Sequence, residues 1–320
     1  MKNKIYSLLI FKVQRNILPT IGWRVATYPL VALLLCGGLA MGPLVAWGQN
    51  YSITTGGGAI VITDNSDNSD LLFVKENMAS VEFNVTVNLR TYSLNGGPTL
   101  SMPAVISLAG ITSITINTKG GNDNVNFDVF TLNMLPSVTV NGGIGDDKVT
   151  FFDDITFQAN ANLDVDLQND DAPVGTDIVE INANANILLS GTGTAVIKAS
   201  KTVKVGNGGS LVTFNGDMTV EANQQAPAAT GGFSGVDLNN GLLQASGTGN
   251  VTIKGKGGTG GAFNVGVNLS GANAKIASVG GNVNVTGAGG AVSSSLADIG
   301  VALQTSATIS VGGSGSLTVT

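Results

Sequence analysis

Short runs in which apolar and polar residues alternate, separated by glycine-rich connections, recur along most of the chain. In two such runs the apolar residues occupy every second position, at Val251 and Ile253 and at Val265, Val267 and Leu269. This spacing places the apolar side chains on one face of an extended strand. Helical spacing is not sustained after residue 50, and the β-branched runs are bounded by Gly, Ser and Asn, which favour tight corners. The pattern predicts an all-β fold.

The C-terminal third consists of repeats that each hold three strand-like pieces. The first pieces begin at nearly equal intervals, at Met218, Val251, Val283 and Leu317. The second pieces begin at Gly235, Gly266 and Gly300, and the third at Leu242, Lys275 and Thr308. Three strands in about 33 residues predict one coil of a right-handed parallel β-helix (β-solenoid), whose coils stack about 4.8 Å apart. A propeller blade needs about 40 to 50 residues and four strands, which disfavours a propeller.

The middle segment repeats at a shorter spacing. The motif at 114–117 (Ile-Thr-Ile-Asn) recurs at 138–141 (Val-Thr-Val-Asn), and a looser third copy follows at 163–167. An acidic insertion containing Asp170 and Asp171 lengthens the third copy. We interpret these copies as further coils; the alternative is an unrelated all-β domain.

The turn at 142–150 has the composition of an ion-binding loop. It fits the glycine-rich nonapeptide pattern G-G-x-G-x-D-x-U-x at each specified position, and the turn at 120–125 is similar with two residues missing. Glycines let carbonyl oxygens turn toward a cation, and an aspartate adds charge. Hard oxygen ligands of this kind suit calcium.

These nine residues resemble the calcium-binding repeat-in-toxin family. The resemblance implies that Asp147 and Asp123 are carboxylate ligands, with main-chain oxygens of Gly143 and Gly145 nearby. That family runs its nonapeptides in tandem, whereas the two copies here start well apart in the sequence, at Gly120 and Gly142. A calcium site and a solvated corner without an ion both remain open.

Composition excludes several classes of function. The 320 residues include one Cys and no His, which excludes Ser-His-Asp and Cys-His catalytic units and His-bearing zinc sites. Five of the 15 basic residues and none of the 21 acidic residues precede residue 49, so 10 basic and 21 acidic residues follow it. This negative balance argues against nucleic-acid binding.

The remaining charged groups do not suggest an active site. Neighbouring residues on a strand point to opposite faces, so Asp153-Asp154 and Asp170-Asp171 do not place two carboxylates across one substrate bond. We therefore expect no enzymatic activity. A group of lysines at 198, 201 and 204 is interpreted as a solvated edge.

The segment 1–48 has the pattern of a signal peptide. Five basic residues and no acid precede an uncharged, mostly apolar run at 29–45, and Ala46 and Gly48 favour cleavage before Gln49. Cys36 lies inside the apolar run. A membrane anchor is the alternative, although the run is near the lower length limit of a span. The opening residues 3–6 resemble the extended signal peptides of bacterial autotransporters.

After this leader we expect an irregular amino-terminal cap at 49–100, coils with acidic turns at 101–222, and Gly-rich repeats at 223–320 that continue beyond Thr320 in the natural product. The whole chain after the leader resembles the large β-strand-repeat surface proteins of bacteria, such as filamentous-haemagglutinin-like adhesins and autotransporter passenger domains. The resemblance implies a secreted or surface-displayed structural or adhesive rod of a Gram-negative bacterium. Its implied partner is a host or extracellular-matrix glycan or protein, with membrane contact through the leader alone. The alternative is a calcium-stabilised carbohydrate-binding or polysaccharide-degrading β-helix.

Overall fold

The computed structural model describes residues 50–86, 90–168, 175–260, 264–290 and 298–320. The leader at 1–48 and the acidic pair Asp170-Asp171 lie outside these residues. Within them every regular element is a β-strand, and no helix is present that is long and apolar enough to cross a membrane. The all-β expectation is confirmed for this part of the chain.

The first seven strands form an amino-terminal region rich in hairpins. They are β1 Tyr51–Gly56, β2 Ala59–Asp64, β3 Leu71–Asn77, β4 Ser80–Val85, β5 Thr91–Leu94, β6 Thr99–Ser101 and β7 Ala104–Ser107. Strand β1 pairs antiparallel with β2, β3 with β4, β4 with β7, and β5 with β6. Strands β2 and β3 also pair in parallel with the two strands that follow this region, β8 and β9, whose bounds are Ser113–Gly120 and Asn124–Phe127.

From β10 onward the strands follow one another in threes. They are β10 Ser137–Ile144, β11 Lys148–Phe151, β12 Ile155–Thr156, β13 Leu163–Leu167, β14 Ile178–Ile181, β15 Asn186–Leu188, β16 Ala195–Ala199, β17 Thr202–Val205, β18 Ser210–Thr213, β19 Met218–Ala222, β20 Val236–Asn239, β21 Leu242–Ala245, β22 Val251–Lys256, β23 Val267–Ser270, β24 Lys275–Ser278, β25 Val283–Ala288, β26 Val301–Gln304, β27 Thr308–Val311 and β28 Leu317–Val319. Each of these strands pairs in parallel with the strand three places further along the chain, up to β28.

This pairing produces three long sheets, which we call the first, second and third. The described residues contribute twelve strands to the first sheet, ten to the second and six to the third. We use the word coil for one passage of the chain through the sheets. Extended parallel sheets with one strand per coil are consistent with a β-solenoid.

The strand registers confirm the repeats seen in the sequence. Met218, Val251, Val283 and Leu317 are partners in adjacent strands of the first sheet. The same sheet pairs Ile114 with Val138, as the shorter spacing predicts. Equivalent residues of successive repeats therefore stack directly on one another.

The core is built from columns of apolar side chains that repeat from coil to coil. One column in the first sheet contains Val140, Val165, Ile197, Val220 and Ile253, each at most 1% exposed. Branched side chains suit a pleated strand, and burying each contributes roughly 1.5–3 kcal/mol relative to exposure. The alternating pattern in the sequence is therefore the direct cause of the stack.

The long connections of the regular coils all join a strand of the first sheet to the next strand of the second sheet. They follow β13, β19, β22 and β25 and comprise 168–177, 223–235, 257–266 and 289–300. In other coils the same connection is much shorter, at 121–123, 145–147 and 200–201. We call this edge of the coils, between the first and the second sheet, the loop corner.

Candidate functional site

Four aspartates occupy equivalent positions at the loop corner. Asp70, Asp123, Asp147 and Asp177 each directly precede a strand of the second sheet, and each is at most 4% exposed. We call these four residues the aspartate ladder. It contains both aspartates that the sequence predicted as calcium ligands.

Hydrogen bonds connect the ladder from one coil to the next. Oδ1 of Asp123 accepts the backbone N–H of Asp70 at 2.7 Å, and Oδ1 of Asp147 accepts that of Asp123 at 2.8 Å. Oδ1 of Asp177 accepts the N–H of Asp147 at 2.6 Å, and the Oγ of Ser200 accepts the N–H of Asp177 at 2.8 Å. A buried backbone N–H without an acceptor is costly. The carboxylates of Asp123, Asp147 and Asp177 therefore each accept an N–H from the preceding coil.

At the amino-terminal end of the ladder, Arg90 and Tyr51 donate hydrogen bonds to Asp70. Arg90 donates from Nε to Oδ1 of Asp70 at 2.8 Å and forms an ion pair with the same oxygen. The hydroxyl of Tyr51 donates to Oδ2 of Asp70 at 2.7 Å. Both carboxylate oxygens of Asp70 thus have charged or polar donors, as a buried carboxylate requires.

Two other buried carboxyls near this end are less fully compensated. Burial and, to a smaller extent, the nearby carboxylates of Asp147, Asp64 and Asp70 together raise the pKa of Asp123 to about 8, although the hydrogen bond from the N–H of Asp70 lowers it. Burial likewise raises the pKa of Asp64 to about 6. Oδ2 of Asp64 and Oδ2 of Asp123 are buried without a hydrogen-bond partner in the described part of the chain. The raised pKa favours the protonated, neutral form of Asp123.

The glycines of the nonapeptide lie where coils come closest. A Cβ on Gly143 would overlap the carbonyl oxygen of Lys119, and one on Gly145 would overlap that of Gly121. Their φ values of +99° and +139° also disfavour any side chain. Stacking alone accounts for glycine at these two positions.

The structure thus brings Asp123 and Asp147 into direct contact through a backbone hydrogen bond, with Gly143 and Gly145 beside the preceding coil. Among the residues that the structure describes, no group of three or more acidic, His or Cys side chains is placed to hold a metal ion. Sequence reasoning did not single out Asp70 or Asp177 for this position. The available signal was an aspartate directly before a second-sheet strand in consecutive coils.

The lysine group has partners from other coils. Lys198 Nζ lies 3.1 Å from Oδ2 of Asp166, its partner in the adjacent strand, and Asp166 raises the pKa of Lys198. Lys201 Nζ lies 5.8 Å from the centre of the Phe233 ring. Lys204 stands in register between acidic neighbours in the strands on either side. The interpretation as a plain solvated edge missed these partners, because they are far away in sequence and local spacing could not reveal them.

The outer faces of the first and second sheets each carry a row of side chains with alternating charge. Along the first sheet the row is Asp166, Lys198, Glu221 and Lys254, and along the second it is Lys148, Glu180, Lys204 and Asp237. Ion pairs of 2.8 Å between Lys254 and Glu221 and of 2.6 Å between Lys148 and Glu180 belong to these rows. Charges on these faces therefore neutralise one another.

Comparisons of the chain with family models, with curated proteins and with solved structures give no match. Function must therefore be inferred from the geometry of this chain.

Proposed function

We propose that the chain is a right-handed parallel β-helix that acts outside a Gram-negative cell as a non-enzymatic structural and adhesive rod. It presents its loops to a glycan or protein of a host or of an extracellular matrix. Export through the leader at 1–48 brings it to the surface.

The observation that carries this proposal is the loop corner. Its long connections follow β13, β19, β22 and β25, while the strands before and after them keep their register. A stacked core tolerates insertions at its corners because they leave the ladder of hydrogen bonds intact. The result is a row of insertion points along one edge of a regular support, which suits the display of loops.

The acidic side chains of the corners support a non-catalytic role. Asp147 and Asp177 accept backbone N–H groups, and Oδ1 of Asp154 accepts the backbone N–H of Asn186 at 2.9 Å. Carboxylates committed to such bonds hold corners together. A glycosidase instead needs two carboxyl groups that face one bond of the substrate.

Adhesion is tested with beads coated with the secreted full chain, on surfaces covered with collagen, mucin or albumin. Ala226 and Thr230 are exposed in the connection after β19, and changing both to Glu adds charge at the tip without touching the core. The expected result is adhesion to collagen or mucin that the double variant loses while its melting temperature is unchanged. Thr219→Ala, on the outer face of the first sheet, is the control and should adhere normally. Equal adhesion to albumin, or full adhesion by the double variant, contradicts the proposal.

One observation favours a second role, in which calcium stabilises the rod. Oδ2 of Asp123 is buried without a hydrogen-bond partner in the described residues, and a cation bound there would replace the proton of Asp123 and compensate the charge of the carboxylate. Oδ1 of Asp123 already accepts the backbone N–H of Asp70, so the ladder alone accounts for this oxygen of Asp123. Melting temperatures measured in calcium and in chelator distinguish a rod that calcium stabilises from a rod in which the aspartate ladder binds no ion. Calcium binding predicts a higher melting temperature in calcium that Asp123→Asn abolishes, and equal melting contradicts it.

A further inference from the structure

The outer face of the third sheet differs from the other two outer faces. The positions that alternate with its core residues form two rows, Asn186, Ser210, Leu242, Lys275 and Thr308, and Leu188, Val212, Gln244, Ala277 and Ser310. Ser210 and Ala277 of these rows are buried. Lys275 is the single charged residue in these rows. Its register neighbours are Leu242 and Thr308, so it lacks the acidic neighbour that Lys198 and Lys254 have.

A shallow depression of about 480 Å³ lies over this face. Its lining includes Asn186, Leu242, Gln244, Asn273, Lys275 and Thr308. The lining is formed by strands β15, β18, β21, β24 and β27 and by the corners that precede them. The depression therefore runs across several coils.

Four polar side chains in the depression are not engaged with the protein, whereas Asn186 donates to Asp154 and accepts from Ser210. The side chains of Gln244, Asn273, Lys275 and Thr308 make no hydrogen bond or ion pair to any residue that the structure describes. At another corner of the same coils, polar side chains do form hydrogen bonds within the protein. There Oδ1 of Asn215 accepts both the N–H and the hydroxyl of Thr248 at 3.1 Å.

The chemistry of the lining selects a class of ligand. Amide and hydroxyl groups are donors and acceptors that match sugar hydroxyls, and Leu242 supplies an apolar patch for the C–H face of a sugar ring. The ammonium of Lys275 pairs with a carboxylate or a sulfate. Strands recur about 4.8 Å apart, so a chain of sugars lying across them can contact Gln244 and Lys275 on adjacent coils at the same time.

We propose that the depression on the third sheet binds an acidic glycan, with Lys275 pairing its carboxylate or sulfate group and Gln244 and Asn273 binding its hydroxyls. The proposal rests on the adhesive role above, to which it adds a second binding surface besides the loops, and it names the ligand of that surface. This surface lies on the third sheet, away from the loop corner, so the loop variants of the bead assay leave it unchanged.

Calorimetric titration of the full chain tests the proposal with three probes of equal length. These are an oligogalacturonate, which carries carboxylates, a sulfated malto-oligosaccharide and the uncharged malto-oligosaccharide. We expect binding of at least one acidic probe and none of the uncharged one. The acidic probe that binds identifies the anionic group as a carboxylate or a sulfate.

Three variants locate the site. Lys275→Ala should weaken binding about tenfold or more, because a hydrogen bond to a charged group contributes about 1.5–3 kcal/mol. Gln244→Ala should weaken it by a smaller factor. Lys204→Ala removes an exposed lysine from the second sheet and should leave affinity unchanged. Melting temperatures of the three variants show that each is folded.

Several outcomes overturn the proposal. Failure of both acidic probes to bind removes the site, while the bead assay still reports on adhesion through the loops. Unchanged affinity in Lys275→Ala shows that the glycan binds elsewhere. Equal weakening by Lys204→Ala and Lys275→Ala shows attraction to overall charge in place of a defined site.

Discussion

The backbone N–H of Asp123 donates to Oδ1 of Asp147, the equivalent residue of the next coil, at 2.8 Å. The same relation joins Asp70 to Asp123, and thus links the hairpin region to the first regular coils. Corner N–H groups lie outside the sheet pairing and need another acceptor when buried. A carboxylate from the following coil accepts the N–H of Asp70, of Asp123 and of Asp147. The ladder therefore links successive coils at the loop corner.

Removing one carboxylate of the ladder should destabilise the protein. Asp147→Ala leaves the buried N–H of Asp123 without its acceptor, which is expected to cost about 1–3 kcal/mol in the free energy of unfolding. Chemical denaturation measures the loss. Asp153→Ala, at an exposed corner, is the control and should change stability by about 0.5 kcal/mol or less. Equal effects of the two changes would show that the ladder does not contribute to stability.

Stability should fall as the pH rises toward 8. The pKa of Asp123 is raised to about 8 in the folded chain, against about 3.9 when unfolded. The folded state therefore binds the proton more tightly, and this contribution is complete below the unfolded pKa and lost as the pH rises through 8. Between pH 5 and 8 the free energy of unfolding should decrease by roughly 1.4 kcal/mol per pH unit for this proton. Urea denaturation at each pH measures the slope.

Asp123→Asn identifies the carboxyl responsible for that slope. The amide keeps an oxygen for the N–H of Asp70 and carries no charge, so the decrease between pH 6 and 8 should disappear. Asp64, with a pKa of about 6, adds to the slope mainly below pH 6. Asp153→Asn is the matched control and should retain the wild-type profile. An unchanged slope in Asp123→Asn assigns the proton to another group.

Much of the fold follows from the sequence because stacking requires equivalent residues at equal intervals. Ile114 pairs with Val138 in the adjacent strand, and Val251 pairs with Val283. The interval at which the sequence repeats is therefore the interval between residues that are strand partners. The search for sequence repeats did not reveal the strand pairing of the hairpin region. Strands β1 to β7 pair largely with their immediate neighbours in antiparallel fashion, and such pairing leaves no repeat to detect.

The candidate site was harder to predict because its partners come from other coils. The nonapeptide indicated that Asp147 and two glycines act together, but an aspartate that binds a cation and one that accepts an N–H have the same local sequence. What distinguishes them is the position of Asp123 one coil away. In the same way, the spacing of Lys198 from Lys201 could not reveal Asp166, which belongs to the preceding coil.

Reversing a charge within the row on the first sheet should destabilise the protein. Lys198 stands between Asp166 and Glu221, so Lys198→Glu places three acids on consecutive strands. Like charges on paired strands cost about 0.2–1 kcal/mol per pair, and two pairs predict a loss of about 1 kcal/mol. Lys254→Glu creates one such pair, because its other neighbour is Thr286, and should cost about half as much. Denaturation at low and high salt measures both, and a loss that salt does not reduce contradicts an electrostatic cause.

Glycine at the nonapeptide corner should be required by stacking even when calcium is absent. A Cβ at Gly143 would overlap the carbonyl oxygen of Lys119, and φ is +99°, so Gly143→Ala should cost about 1–3 kcal/mol through backbone strain and displacement of the adjacent coil. At Gly56 no atom lies within 4 Å of the position that a Cβ would take, and Gly56→Ala should change stability by less than about 1 kcal/mol. Denaturation of both variants in chelator measures the difference. A loss in Gly143→Ala that appears in calcium and vanishes in chelator would instead assign this glycine to an ion site, because the stacking contact is the same in both solutions.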